Sequence, residues 1–174
     1  MKFVVAPADI HLVRTFTPLG EAIRWWEKVT GDDAIFNHAA IAVDRFHIAE
    51  AVGKITLTPA KYYYHLAEKG DVTLAVFRPK FLSDKEKIFI GRLPAINRWY
   101  GKPNGVLRFA ALGIDKLLGT HFAKYHWGDM VCSSLVARCY AGYYDKWGDW
   151  REVTPDDIAD TIINDENNWE VIYG

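Results

Sequence analysis

Apolar and polar positions along this chain switch between two periods, and the switches mark out its elements. Ile10 to Phe16 reads as a short strand. Thr17-Pro18 starts a helix through about Val29, with proline near the first helical position, and Gly31-Asp32-Asp33 ends it. His38 to Val43 reads as a strand, Asp44-Arg45 as a turn, and Phe46 to Val52 as a second strand. Ile55 to Leu57 extends this into a third. Pro59 to Lys69 is a helix closed by Gly70, and Asp71 to Arg78 alternates as a strand. Ser83 caps a helix running to about Trp99, and Glu86 completes its capping box. Gly105 to Leu118 and Cys132 to Tyr144 carry helical apolar faces. Thr154-Pro155-Asp156-Asp157 opens another helix, with Thr154 as N-cap and acids in the first turn. Trp169 to Tyr173 is a last strand. Helices partly segregated from a hairpin-rich, small antiparallel sheet make an α+β fold.

Composition narrows the function classes. The 174 residues suggest one domain spanning 1–174, and half are hydrophobic, enough for a core without staples. A net charge of -1 with no dense basic run argues against nucleic-acid binding by bulk electrostatics. The short apolar stretch at Met1–Asp9 is no signal peptide, and no apolar run reaches the length of a membrane span. A cytoplasmic or virus- or phage-associated protein is the expectation; oligomeric state is left open. The two cysteines, Cys132 and Cys139, would lie about 10 Å apart on one helix, too far for a disulfide. That usage fits a reducing compartment or a thiol catalyst.

The segment Cys132-Ser133-Ser134-Leu135-Val136 places a thiol at the first turn of a helix. Helix N-termini favour a thiolate, and their unpaired N–H groups can hold a developing oxyanion; Cys132 and Ser133 supply those N–H groups here. A thiol nucleophile needs an imidazole and a group to orient it. His38 starts a strand flanked by small alanines, in Asn37-His38-Ala39-Ala40-Ile41, and Glu50 lies on the next strand. A hairpin through Asp44-Arg45 makes them cross-strand neighbours, on one face only if the loop is odd or bulged. The bland reading treats His38 as a strand-start polar residue, Glu50 as solvated, and the cysteine as structural.

Other signals carry less. His121, His126 and Asp129 cluster before Cys132, but no standard zinc spacing is present, so neither metal nor cofactor is expected. Gly101-Lys102-Pro103-Asn104-Gly105 lacks the P-loop pattern. Tyr62-Tyr63-Tyr64 and the tryptophans are mostly core, with Trp147 and Trp150 the best candidates for exposure near a cleft.

These motifs resemble the circularly permuted branch of the NlpC-type, papain-like cysteine hydrolases, which includes YiiX-like proteins and has lecithin–retinol acyltransferases as distant relatives. Asn37–Ile41 is similar to the strand of the catalytic histidine, Ile48-Ala49-Glu50-Ala51 to the strand of its orienting acid, and Cys132–Val136 to the nucleophile motif. Thr154–Ile158 resembles the helix start that follows. Histidine precedes cysteine, as in the permuted branch, and the likeness runs from about residue 35 to 160. The family often has a tyrosine shortly after a glycine ahead of the cysteine. Here Asn104 stands near that place, with Tyr100 close by, so either is a candidate to assist the oxyanion.

The resemblance implies a papain-like fold and a Cys132–His38–Glu50 triad. It also implies hydrolysis of an amide or acyl bond in a peptide, a peptidoglycan fragment or an acyl lipid. The alternative is a catalytically idle papain-like module with a binding or structural role, for instance in a phage particle.

Overall fold

A computed structural model of the chain describes residues 5–17, 21, 35–52, 54–96 and 130–174. The helix expected at 105–118 lies outside these residues, as does that from Thr17-Pro18 to about Val29 except for residues 17 and 21, and so do Tyr100, Asn104, His121, His126 and Asp129. The described fold is α+β: a six-stranded antiparallel sheet with four helices. The strands are β1 (Ile10–Thr15), β2 (His38–Ala42), β3 (His47–Val52), β4 (Lys54–Pro59), β5 (Val72–Pro79) and β6 (Trp169–Tyr173). The helices are α1 (Lys61–Glu68), α2 (Asp84–Ile96), α3 (Cys132–Tyr140) and α4 (Pro155–Ile163). The sheet order is β4-β3-β2-β1-β5-β6, so β1 is central although it comes first in the chain.

Alternation gives the sheet two covered faces. Ile10, Leu12, Ala39, Ile41, Ala49, Ala51 and Ile55 pack on one side with Leu135 and Val136 of α3, Ile90 of α2, and Ile158 and Ile162 of α4. Val13, Ala40, Ala42, Ile48, Leu74 and Val76 pack on the other with Tyr63 and Tyr64 of α1. Five alanines of β2 and β3 lie on these two faces, Ala39, Ala49 and Ala51 on one and Ala40 and Ala42 on the other, which lets the helices approach closely.

Local chemistry sets the element ends. Ser83 and Glu86 form the expected capping box on α2, Glu86 accepting the Ser83 N–H at 2.7 Å. Thr154 and Asp157 form another on α4, with bonds of 2.7 and 3.1 Å. Helix α3 stops at Tyr140, one turn before the expected Tyr144, because a turn with Gly142 at φ +89° follows it. Ahead of β1, Asp9 is fully buried and grips Arg78 of β5 through two bonds of 2.8 and 2.7 Å.

Candidate active site

Strand β2 and helix α3 meet at one end of the sheet, and the site is built there. His38 is the first residue of β2. Its approach is fixed by Asn37, whose side chain copies a strand partner. Asn37 Oδ1 accepts the Thr15 N–H at 2.9 Å, and Asn37 Nδ2 donates to the Thr15 carbonyl at 2.9 Å. Asp156 of α4 accepts the Ile35 N–H at 2.9 Å, pinning the same segment from the other side.

Cys132 is the first residue of α3. Val131, before it, has no polar side chain to cap the helix, and Ser134 does this instead, accepting the Val131 N–H at 2.9 Å. Ser133 donates to the Val153 carbonyl at 2.7 Å, which ties the helix start to the segment entering α4. The two motif serines are therefore structural anchors that aim the thiol.

Cys132, His38 and Glu50 come together. His38 Nε2 meets Glu50 Oε2 at 2.7 Å, which leaves Nδ1 for Cys132, the other group that acts on the imidazole. Cys132, His38 and Glu50 are buried, at 7%, 8% and 4% exposure. The expected cross-strand neighbours are diagonal, not directly opposite: Ala40 pairs with Glu50. The last pair, Ala42 with Ile48, encloses residues 43 to 47, an odd loop, so 38 and 50 share a face as that condition required.

The thiol and the imidazole start on opposite faces. His38 follows Ala40 and Ala42 in alternation, toward α1, whereas α3 packs on the Ala39 and Ile41 side. They meet because the sheet forks. The β2–β3 ladder stops at Ala40 and Glu50, while β2 stays with β1 as far as His38, and β3 stays with β4 through Val52. The Ala39 N–H, released from β3, and the Ser133 N–H lie where they favour a charged Cys132 sulfur.

This setting separates charge. Burial alone would raise the Cys132 thiol, but the imidazole and the two N–H groups outweigh it and hold it below the ordinary thiol range. Burial likewise opposes a charged imidazole, yet Cys132 and Glu50 push His38 up to about 10. Glu50 stays below the usual carboxylate range: His38 and the hydroxyls of Thr58 and Tyr63 more than offset its burial. The shifts run in the sense that favours a thiolate beside an imidazolium, with a carboxylate behind it. Cys139 is fully buried, and burial drives its thiol well above the ordinary range.

Sequence reasoning missed Thr58 and Tyr63. The Tyr63 hydroxyl donates to Glu50 Oε2 at 2.6 Å, and Thr58 Oγ1 donates to Oε1. The signal was present in Tyr62-Tyr63-Tyr64, where Tyr62 is half exposed while Tyr63 and Tyr64 are buried, but it read only as packing. His11 was also unremarked. It is fully buried in β1 against Tyr64, and burial pushes it down to about 4, so it is neutral. Trp147 lines a cleft of about 370 Å³ beside Val153 and Asp157, whereas Trp150 is not among the residues lining it. Both are half buried: Trp147 packs on Tyr140, Tyr144 and Trp169, and Trp150 lies between Arg138 and Arg151.

No protein-family model matches the chain, and no curated protein matches it in sequence. Among solved structures it is similar to the crystal structure of metalloprotein yiiX from Escherichia coli O157:H7. The TM-score is 0.54 at 20% identity, covering 80% of this chain and 67% of that one. Among the described residues here, no group of three or more His, Cys, Asp or Glu side chains is arranged to hold a metal ion, and no helix is long and apolar enough to cross a membrane. The fold is thus shared with a YiiX protein.

Proposed function

We propose that this chain is a cysteine hydrolase that cleaves an amide or acyl bond through an acyl-enzyme. One observation carries the reading: the buried chain from the Cys132 thiol through His38 to Glu50, with 2.7 Å between imidazole and carboxylate. A structural cysteine has no need of a raised imidazole beside it. The motif order and the YiiX-like fold support a permuted, papain-like, NlpC-type domain.

The Cys132 thiolate attacks the substrate carbonyl carbon, and the carbonyl π electrons move to oxygen. The helix-start N–H groups of Cys132 and Ser133 take that oxyanion, since first-turn N–H groups lack intrahelical partners. Ser133 is well suited, because its N–H is released as charge leaves sulfur for oxygen. The tetrahedral intermediate collapses, breaking the bond to the amine or alcohol, which leaves with a proton from His38. Water then gives its proton to neutral His38 and attacks the thioester, releasing the acid and the thiolate. Glu50 keeps His38 Nε2–H in place throughout. The substrate classes are a peptide, a peptidoglycan fragment or an acyl lipid.

Brief iodoacetamide treatment of the folded chain near pH ~5.5, read by mass spectrometry, tests the nucleophile. Cys132 should be labelled and Cys139 spared. Cys132→Ala should then abolish turnover across amide and acyl-ester substrates with the fold intact. Labelling of Cys139 alone, or equal turnover by Cys132→Ala and the parent, would overturn the reading.

A further inference from the structure

Glu50 is gripped by more than its imidazole. Three donors converge on the carboxylate from three elements: His38 of β2, Thr58 of β4 and Tyr63 of α1. Tyr63 and His38 share one oxygen, Oε2, at 2.6 and 2.7 Å, and Thr58 takes the other. The Tyr63 ring also lies against the imidazole, 6.0 Å between centroids and tilted by 36°. Burial and the charge of Glu50 keep the Tyr63 hydroxyl protonated far above the tyrosine range, so it acts as a donor at every working pH.

Such a grip would be superfluous in a tightly packed site. Here the carboxylate borders a cavity of about 860 Å³, lined also by Val52, Thr56, Tyr62 and His65. A glutamate with that space beside it has a second rotamer available, pointing into the cavity and hydrated. In that rotamer the imidazolium loses its partner, and the thiolate loses the imidazolium.

We propose that Tyr63 and Thr58 are positioning residues, whose hydroxyls lock Glu50 onto His38 and so set the pH range over which Cys132 and His38 persist as an ion pair. This rests on the reading of Cys132 as nucleophile. The other titratable groups around the acid do not substitute for them. His11, across Ala40 on β1, is buried and neutral. Lys61, Tyr62, His65 and Glu68 of α1 line the cavity and are exposed. Cys132 of α3 reaches Glu50 only through His38.

The test is the pH profile of iodoacetamide alkylation of Cys132 in the full chain, which needs no substrate. Parent, Glu50→Gln, Tyr63→Phe, Thr58→Val and Thr58→Ser are compared. The parent should show a plateau of ion-pair reactivity with an acid limb below the ordinary thiol range. Tyr63→Phe and Thr58→Val should each narrow that plateau from both ends and slow alkylation near pH ~5.5 by about tenfold, the scale of one hydrogen bond to a charged group. Thr58→Ser keeps the hydroxyl and should restore the parent profile. A purely structural role would lower the melting temperature and leave the profile in place. That result, or a wider plateau, overturns the inference while Glu50→Gln still collapses the plateau. A parent without any acid plateau overturns the hydrolase reading, and this inference with it.

Discussion

Asn37→Ala should destabilise the protein without touching any reacting group. The amide lies 3% exposed and makes three bonds to Thr15: to the backbone N–H and carbonyl at 2.9 Å each, and to the hydroxyl at 3.2 Å. Each such bond is worth about 1 kcal/mol net. Thr15 is half exposed, so water replaces part of what alanine removes, and the expected loss is about 2 kcal/mol. For a chain of this length that is roughly 4–8 °C in melting temperature. Asn37→Asp sharpens the test. Its carboxylate still accepts from the Thr15 N–H, but places a second oxygen against the Thr15 carbonyl where an N–H had donated. That repulsion raises the folded-state pKa of the new acid. Its penalty is therefore absent below the unfolded value, about 3.9, and grows as pH rises through the folded value. Urea unfolding of both variants from acid to neutral pH measures this. Asn37→Asp should match or exceed Asn37→Ala in stability at low pH and lose that advantage toward neutrality. An alanine variant within about 0.5 kcal/mol of the parent, or an Asp–Ala difference independent of pH, would refute the bridging role.

Three further outcomes follow from the same geometry. Glu50→Gln removes a charge from beside the imidazolium, worth about 4 kcal/mol at an effective dielectric of about 20, so turnover should fall about 10³-fold; a loss under about tenfold would count against the acid. The ion pair should make stability pH-dependent in a defined window: the Cys132 part is full above 9.0 and lost as pH falls through its lowered value, and the His38 part is full below 6.5 and lost as pH rises through about 10. The Cys132 part therefore weakens toward acid and the His38 part toward alkali, and thermal melts of the parent minus a Cys132→Ala, His38→Ala double variant should show both limbs. Gly91→Ala should cost about 1–3 kcal/mol despite better helix propensity. Its Cβ would sit 2.7 Å from the Ala42 carbonyl oxygen and 3.2 Å from the Ala8 nitrogen, both backbone atoms, and a chemical-denaturation curve would show the loss.

Elements with strong local rules were readable from the sequence. The Thr154 and Ser83 caps fell where expected because a capping box involves only four consecutive residues. The hairpin that brings His38 near Glu50 was readable, but the odd loop of residues 43 to 47 that puts both side chains on one face was not, because nothing in the sequence fixes its length. What escaped depends on contacts between distant segments. β1 sits between β2 and β5, and nothing in residues 10 to 16 specifies those neighbours. Thr58 and Tyr63 reach Glu50 only after β4 pairs with β3 and α1 folds back over the sheet. Asn37 looked like part of a histidine motif, yet its side chain serves Thr15, 22 residues away. The Gly- and Asp-rich loop leaves both tryptophans half buried and Trp147 lining a cleft, but the packing of Trp147 on Tyr144 and Trp169 is again a contact between distant segments.

The fork between β2 and β3 links these observations into one cause. A continuous ladder would keep the thiol on one face and the imidazole on the other, separated by paired backbone. Ending the ladder at Ala40 and Glu50 opens that backbone between the thiol and the imidazole. It turns the Ala39 N–H toward sulfur, and it leaves Val52, which a continued ladder would set opposite His38, paired with Lys54 of β4 instead. The same opening has a cost, since unpaired strand ends are mobile unless held. The holding groups are found around it: Asn37 on β1, Asp156 against Ile35, Ser133 on Val153, and Thr58 with Tyr63 on the acid. Ala39 and Ala40 then have a reason to be small. A β-branched side chain at 39 would press on α3 beside the thiol, and one at 40 would press on the carboxylate. In this site the polar residues hold Cys132, His38 and Glu50 in line, and the small residues leave them room to meet.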